Sequence, residues 1–397
     1  VDASFLEPQR PRCGLGETDD VEVVIAPEEE PGDARRGARC GIDEAGEIQT
    51  LPGTSYRAKS GQPRTRMSYR FRYKPYRLPL RVPLRTAHGW WREREGIIVR
   101  LENEAGAAGF GEIAPIPWFG TETMSEAGEI CRKFSDTVSD DLLDNAGERF
   151  GCVRFALGQA RERRPAQKSS ARLPVAALLP AGRDALGVFQ EKLAAGFLVF
   201  KWKVGLGSVD DELALLDDLL AGLPAHARLR LDANGGWTRR EAGRWLSVCA
   251  ERPIEFVEQP VAPADEDSLR GLAADFPVTL ALDESVVRIS EARRWQAMGW
   301  AGVFVIKPLL AGTMAEIGEW IVETKADVVF SSAIETSLGR SFILQTVLAE
   351  SLTKRALGFG VGEIFGDRRW DGPQIGPLAD FFCVAQNPGE EIWNALN

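Results

Sequence analysis

From position 174 onward the chain keeps one rhythm. A short run of contiguous apolar, often β-branched residues is followed by a longer stretch with apolar positions three and four apart. Continuous hydrophobicity marks strands buried on both faces, and the wider spacing marks amphipathic helices. The pattern predicts strands at 175–179, 197–204, 228–232, 254–258, 278–283, 302–307, 327–331 and 357–361. Helices are predicted between them at 184–195, 208–221, 238–250, 264–274, 290–298, 313–325 and 338–353. Eight strands and seven helices at this spacing predict an α/β fold, a (β/α)7β barrel of the TIM type that closes without a regular last helix.

The preceding residues follow another pattern. Strands are expected at 71–76, 96–101 and 106–112, a polar and aromatic loop at 86–91, and helix over 125–166. Strands followed by helices predict a small α+β domain. The expected organisation is a capping domain over 67–170, the barrel over 171–362, and a Pro- and Gly-containing tail over 363–397 that returns to the cap. Residues 1–66 show no sustained period and carry solvated runs such as Glu28-Glu29-Glu30-Pro31-Gly32-Asp33. Their composition predicts disorder. Met67 stands immediately before the first patterned segment. A fused upstream tail, a targeting segment and a gene-model artefact are open readings of the extension. It lacks a signal-peptide apolar core, and its acidic residues argue against a transit peptide.

Composition narrows the function. Of 397 residues 44% are hydrophobic and 27% charged, as in soluble globular proteins. No apolar run reaches membrane-spanning length. A net charge of −10 without a dominating basic patch argues against a nucleic-acid partner. Cys13, Cys40, Cys131, Cys152, Cys249 and Cys383 are far apart and form no C-x-x-C pair, which predicts reduced thiols and a cytoplasmic location. His88 and His226 are the only histidines, which speaks against both a multi-histidine metal site and a Ser-His-Asp triad.

The candidate chemistry lies at the strand ends, where barrels of this type place their active sites. Lys201 and Lys203 alternate with Trp202 on the second barrel strand and so share a side. Two ammonium groups on one buried face are costly, and each disfavours the other's charge. A lysine whose pKa is lowered in this way serves as a base near neutral pH. The next strands end in Asp232, Glu258, Asp283 and Lys307. A single acid after a strand commonly caps the next helix. Three acids ending three successive strands, about 4.8 Å apart, converge and repel one another unless a cation neutralises them. Hard oxygen ligands favour Mg²⁺, with Mn²⁺ as the alternative. Lys203 and Lys307 flank this set. The arrangement suits abstraction of a proton next to a carboxylate, with the cation stabilising the charge that develops. The expected partner is therefore a small anionic carboxylate, bound by a monomer or homo-oligomer.

This set, a K-x-K motif at 201–203 with Asp232, Glu258, Asp283 and Lys307, resembles the muconate-lactonising branch of the enolase superfamily over 67–397. A lysine base working with Mg²⁺ is general knowledge of that superfamily. Within the branch, the segments GFGEIAPIPWFGTET (109–123) and SSAIETSLG (331–339) are most similar to the o-succinylbenzoate synthase family. The resemblance implies a hydro-lyase that dehydrates 2-succinyl-6-hydroxy-2,4-cyclohexadiene-1-carboxylate to 2-succinylbenzoate in menaquinone or phylloquinone biosynthesis. It implies Lys203 as base and then acid, Lys307 as the cation on the opposite face, and Lys201 as the fixed charge that tunes Lys203. It also implies that the first domain covers the barrel mouth.

Ser331, Ser332 and Gly360 are candidates for the succinyl carboxylate, against a reading of ordinary loop hydrogen bonding. Arg230 shares the face of Asp232 and reaches either the substrate or a carboxylate inside the barrel. Asn234 orients a ligand or caps a helix, and Glu284 is expected behind the metal ligands. His88, Trp90 and Trp91 form a closing loop or a surface loop. Glu112 is expected to be structural and His226 solvated. Two rival functions stay open: racemisation or epimerisation of N-succinylamino acids or dipeptides, and a non-catalytic barrel of a fusion protein. Dipeptide epimerases usually place acids near the eighth strand to hold an ammonium, and Gly358-Phe359-Gly360-Val361-Gly362 has none.

Overall fold

The computed structural model describes residues 67–396 apart from 87, 135, 163–169, 374 and 382–387. The expectation for 1–66, and Cys13, Cys40 and Cys383, fall outside the described residues.

An antiparallel sheet comes first. It is built from β1 (Ser68–Thr86), β2 (Gly89–Asn103), β3 (Ala108–Ile113) and β4 (Thr137–Ser139), in the order β3-β2-β1-β4. Of the segment 86–91, expected as a loop, Thr86 and residues 88–91 form the end of a long ribbon in which Thr86 faces Gly89, Arg85 faces Trp90 and Leu84 faces Trp91. Aromatic residues suit paired strands, and Gly89, at φ 110°, takes the left-handed turn position. The expected helical stretch 125–166 is broken into α1 (Met124–Lys133), α2 (Asp140–Asp144) and α3 (Gly151–Arg161). Thr123 and Glu126 form a capping box that starts α1, and β4 interrupts the run by pairing with β1.

The second sheet contains β5 (Arg172–Leu179), β6 (Val199–Lys203), β7 (Arg228–Asp232), β8 (Ile254–Glu258), β9 (Leu280–Leu282), β10 (Val303–Ile306), β11 (Val328–Phe330) and β12 (Leu357–Gly360). These are the eight expected strands, running in parallel order with β12 beside β5. A bridge from Ser331 to Gly358 joins β11 to β12 and completes the ring. The helices between them are α4 (Asp184–Ala194), α5 (Val209–Ala221), α6 (Arg239–Cys249), α7 (Glu266–Asp275), α8 (Ile289–Ala297), the short α9 (Pro308–Ala311), α10 (Met314–Thr324) and α11 (Ser337–Glu350). The fold is thus a curled parallel barrel sheet with an antiparallel capping sheet. On β6, Phe200 and Trp202 are fully buried against Phe189 of α4 and Trp245 of α6. Alternation then turns Lys201 and Lys203 to the opposite side, into the barrel.

Glu112 ties the two sheets together. The carboxylate at the end of β3 accepts from Tyr76 Oη at 2.6 Å, Thr336 Oγ1 at 2.7 Å and Gly339 N at 3.0 Å. Thr336 is the N-cap of α11, so an acid of the cap satisfies the first turn of a barrel helix. The chain after β12 divides its contacts. Phe365 bridges to Leu80 of β1, and Trp393, in α12 (Gly389–Ala395), accepts from Lys74 Nζ at 3.0 Å. The short strand β13 (Leu378–Asp380) pairs antiparallel with β5 of the barrel instead. Cys131, Cys152 and Cys249 are buried, unpaired thiols, and His226 is exposed. No described helix is long and apolar enough to cross a membrane.

Candidate active site

The parallel register brings the charged strand ends together. Lys203 pairs with Asp232, and Asp232 pairs with Glu258, so residues from three adjacent strands stand at one level. Asp283 follows the end of β9, and Lys307 follows β10 as the N-cap of α9. Asp232, Glu258 and Asp283 are all buried.

Lysines lie on these acids. Lys201 Nζ is 2.6 Å from Glu258 Oε1 and 2.9 Å from Asp232 Oδ2. Lys307 Nζ pairs with Asp283 Oδ1. Lys203 is half-buried and has no ion pair among the described residues. Burial is the largest influence on Lys201 and favours the neutral amine. Asp232, Glu258 and Asp283 together overcome it and hold the ammonium above the usual lysine range. The expected lowering is therefore corrected for Lys201, because three carboxylates outweigh the burial that opposes its charge.

The acids show their crowding. Burial, then the charge of Asp232, pushes Glu258 up to about 8, with Lys201 opposing and Asp283 adding to the rise. Glu284 also faces this group. Burial, Asp283 and Asp232 push it up to about 7, while Lys307 and the Asn234 amide, 3.1 Å away, act against the shift. Glu284 comes two residues after the end of β9 at Leu282, so the strand's alternation does not set its side.

No cluster of His, Cys, Asp or Glu among the described residues is arranged as a ready metal cage. The ammonium groups lie on the oxygens that a cation would use. The donor set nevertheless fits a hard divalent ion. Burial, together with the charges of Asp232 and Asp283, drives Glu258 towards protonation, and a dication would offset both the burial and the repulsion. Gln259, which the sequence reading passed over, braces this set. It is fully buried at φ 37°, and its Oε1 accepts from Asp283 N at 3.1 Å and Ser285 N at 3.2 Å. Its Nε2 donates to Val261 O at 3.0 Å and Ser285 Oγ at 2.8 Å. Its position directly after Glu258 was the only sequence signal.

The remaining candidates separate. Arg230 is corrected from the substrate to the barrel interior. It is 1% exposed, is held by Glu255 at 2.7 Å and 3.2 Å, donates to Ala356 O at 3.0 Å, and lies over the Phe256 ring. The ladder pairs Leu229 with Ile254 and Arg230 with Phe256, so Glu255 is the extra residue of a bulge that meets the guanidinium. Ser332 Oγ donates to Glu335 and accepts from Ile334 N, which is the loop reading. Ser331 and Gly360 stand at the mouth, at the ends of the strands that close the ring. Gly360 has no room for a side chain, because a Cβ would strike the Ala176 carbonyl.

The cap supplies a wall. Lys307 Nζ stands 4.4 Å from the centre of the Phe119 ring, in the cap turn Pro117–Phe119. Trp118 of that turn meets Trp91 edge-on at 5.1 Å and His88 at 6.4 Å, so the ribbon end leans on the segment that covers Lys307.

Known proteins match most of the chain. A model of the enolase C-terminal domain-like family matches residues 186–321, and one of the MenC N-terminal domain matches residues 66–163. An o-succinylbenzoate synthase of Thermosynechococcus vestitus is 37% identical over 341 residues, covering 83% of this chain and 99% of its own. One from Edwardsiella ictaluri is 32% identical, over 67% of this chain and 82% of its own. The crystal structure of o-succinylbenzoate synthase from Thermosynechococcus elongatus BP-1, complexed with Mg in the active site, superposes with a TM-score of 0.74. It is 35% identical and covers 82% of this chain and 99% of that one. The L-Ala-D/L-Glu epimerase from Bacillus subtilis shares the fold, with a TM-score of 0.67 at 21% identity, over 78% of this chain and 94% of its own. The chain belongs to the o-succinylbenzoate synthase family of the enolase superfamily.

Proposed function

We propose that this protein dehydrates 2-succinyl-6-hydroxy-2,4-cyclohexadiene-1-carboxylate to 2-succinylbenzoate, a step of menaquinone or phylloquinone biosynthesis. One observation carries the assignment of roles: of the two lysines on β6, Lys201 is held as an ammonium by two carboxylates and Lys203 by none. A base must be able to give up its charge, so Lys203 is the base. It removes the ring proton next to the carboxylate, and as an ammonium it returns that proton to the departing hydroxyl. Proton and hydroxyl leave together as water, and the ring becomes aromatic.

Asp232, Glu258 and Asp283 would hold Mg²⁺, with Mn²⁺ as the alternative. When bound, the ion would supply positive charge beside the substrate carboxylate as that group takes up the negative charge of its neighbouring carbon. Lys307, beneath Phe119, faces the substrate from the side opposite Lys203. Ser331 and Gly360 are the residues at the mouth assigned to the succinyl arm. The unpaired thiols of Cys131, Cys152 and Cys249 suit the cytoplasm.

The same two lysines could move a proton from one face of an amino acid to the other. A dipeptide substrate needs an acid for its ammonium, and the first acid after the eighth strand, Glu363, is engaged by Arg81 at 3.2 Å and Arg368 at 2.8 Å. The test is a direct assay of the purified protein on the cyclohexadiene carboxylate beside N-succinylamino acids and dipeptides. Efficient dehydration, abolished by EDTA and restored by Mg²⁺, supports the proposal. Turnover of an amino acid substrate alone contradicts it.

A further inference from the structure

Arg94, on β2, is a buried cation with an unusual set of partners. Only 1% of it is exposed, and no carboxylate pairs with it among the described residues. All its donors go to main-chain carbonyls. Nε donates to Ile334 O at 3.0 Å. Nη1 donates to Glu95 O at 3.2 Å and Pro115 O at 2.7 Å. Nη2 donates to Ala114 O and, at 3.3 Å, to Ala333 O. A guanidinium has five N–H groups in a rigid plane, and here each has an acceptor. A lysine offers three donors from one point and cannot span these carbonyls.

Four of the five acceptors belong to two different walls. Ala114 and Pro115 lead into the cap turn that carries Phe119 over Lys307. Ala333 and Ile334 belong to the loop after β11, directly beyond Ser331 and Ser332. Ile334 is held at φ 61°, a conformation that a β-branched residue avoids. Its N–H donates to Ser332 Oγ at 3.1 Å and its carbonyl accepts from Arg94, so the strained residue is clamped on both sides. The Trp91 ring lies 5.4 Å from the guanidinium and connects the clasp to the ribbon end.

We propose that Arg94 is a positioning residue for the reaction: its guanidinium locks the cap segment 114–119 to the barrel loop 332–336 and thereby fixes Phe119 against Lys307. The kinetic part rests on the role assigned to Lys307 above; the locking of the two segments does not. The experiment has two arms, both on the full chain.

In the first arm, amide hydrogen exchange compares the parent protein with Arg94→Lys, and with Arg94→Gln should the lysine variant fail to fold. Exchange should speed up at least tenfold in both segments, with the central strands of the cap unchanged. Unchanged protection in either segment overturns the proposal. In the second arm, Arg94→Lys, Phe119→Leu and the double variant are assayed. If Arg94 acts through Phe119, kcat falls at least tenfold in Arg94→Lys and less than threefold further when that change is added to Phe119→Leu. A general structural defect would multiply the losses, and multiplicative losses overturn the route through Phe119. Were the protein inactive on the proposed substrate, the exchange arm alone would still decide whether Arg94 locks the walls.

Discussion

Lys201 reaches across the whole of β7 to stand 2.6 Å from Glu258, two strands away. The ammonium neutralises part of the acidic patch from within. Above about pH 8, where Glu258 is ionised, removing it leaves buried carboxylates uncompensated, which costs about 3–5 kcal/mol. Lys201→Met should therefore lower the stability of the metal-free protein by that order, measured by urea unfolding in EDTA. Saturating Mg²⁺ should recover a large part of the loss, since it neutralises the same oxygens.

Glu258 gives a pH signature. Its folded pKa, about 8, lies above its unfolded value, so the folded state binds the extra proton between the two. Its contribution to stability is complete below about pH 4.5 and is lost as pH rises through about 8. The metal-free protein should lose stability over that window, and Glu258→Gln should flatten the loss. Mg²⁺ binding at pH 7 should also expel about one proton. Calorimetric titration in buffers of different ionisation heat measures it; heat independent of the buffer would contradict the shift.

Glu112 should matter for assembly and not for the chemical step. Its carboxylate accepts from Tyr76 Oη, Thr336 Oγ1 and Gly339 N, so Glu112→Ala leaves several buried donors unsatisfied. A loss of roughly 3 kcal/mol or more is expected in thermal or urea unfolding. The folded fraction should keep its KM, because no atom of Glu112 is assigned to the substrate.

Arg230 separates in the same way. Arg230→Met should destabilise by about 2–3 kcal/mol through the loss of its charged hydrogen bonds to Glu255, which keeps Arg355 as a partner at 2.5 Å. Saturation kinetics should show KM unchanged. A KM raised tenfold with stability intact would return Arg230 to the substrate.

The residues that were legible in the sequence are those whose place follows from local rules. Alternation on β6 set the facing of Lys201 and Lys203, and strand ends placed Asp232, Glu258, Asp283 and Lys307 at one level. What was not legible depends on broken periods or distant pairings. Glu255 meets Arg230 because a bulge skips it in the ladder. Glu284 turns towards the acids because β9 stops at Leu282. Residues 88–91 read as a loop because their partners, the opposite strand and Trp118 of the cap turn, are not visible from local pattern. Arg94 meets Ile334 across 240 residues, and Glu112 meets Thr336 across 224. No local pattern announces such partners.

The central claim is that Lys203, the lysine without a carboxylate partner, moves the proton. It is tested most directly by the single-turnover rate of diene loss for Lys203→Ala with Mg²⁺ saturating and its binding shown intact by calorimetry. The expected result is a rate lower by about a hundred- to ten-thousandfold, with Mg²⁺ affinity unchanged. Dehydration at the parent rate by this variant would contradict the account.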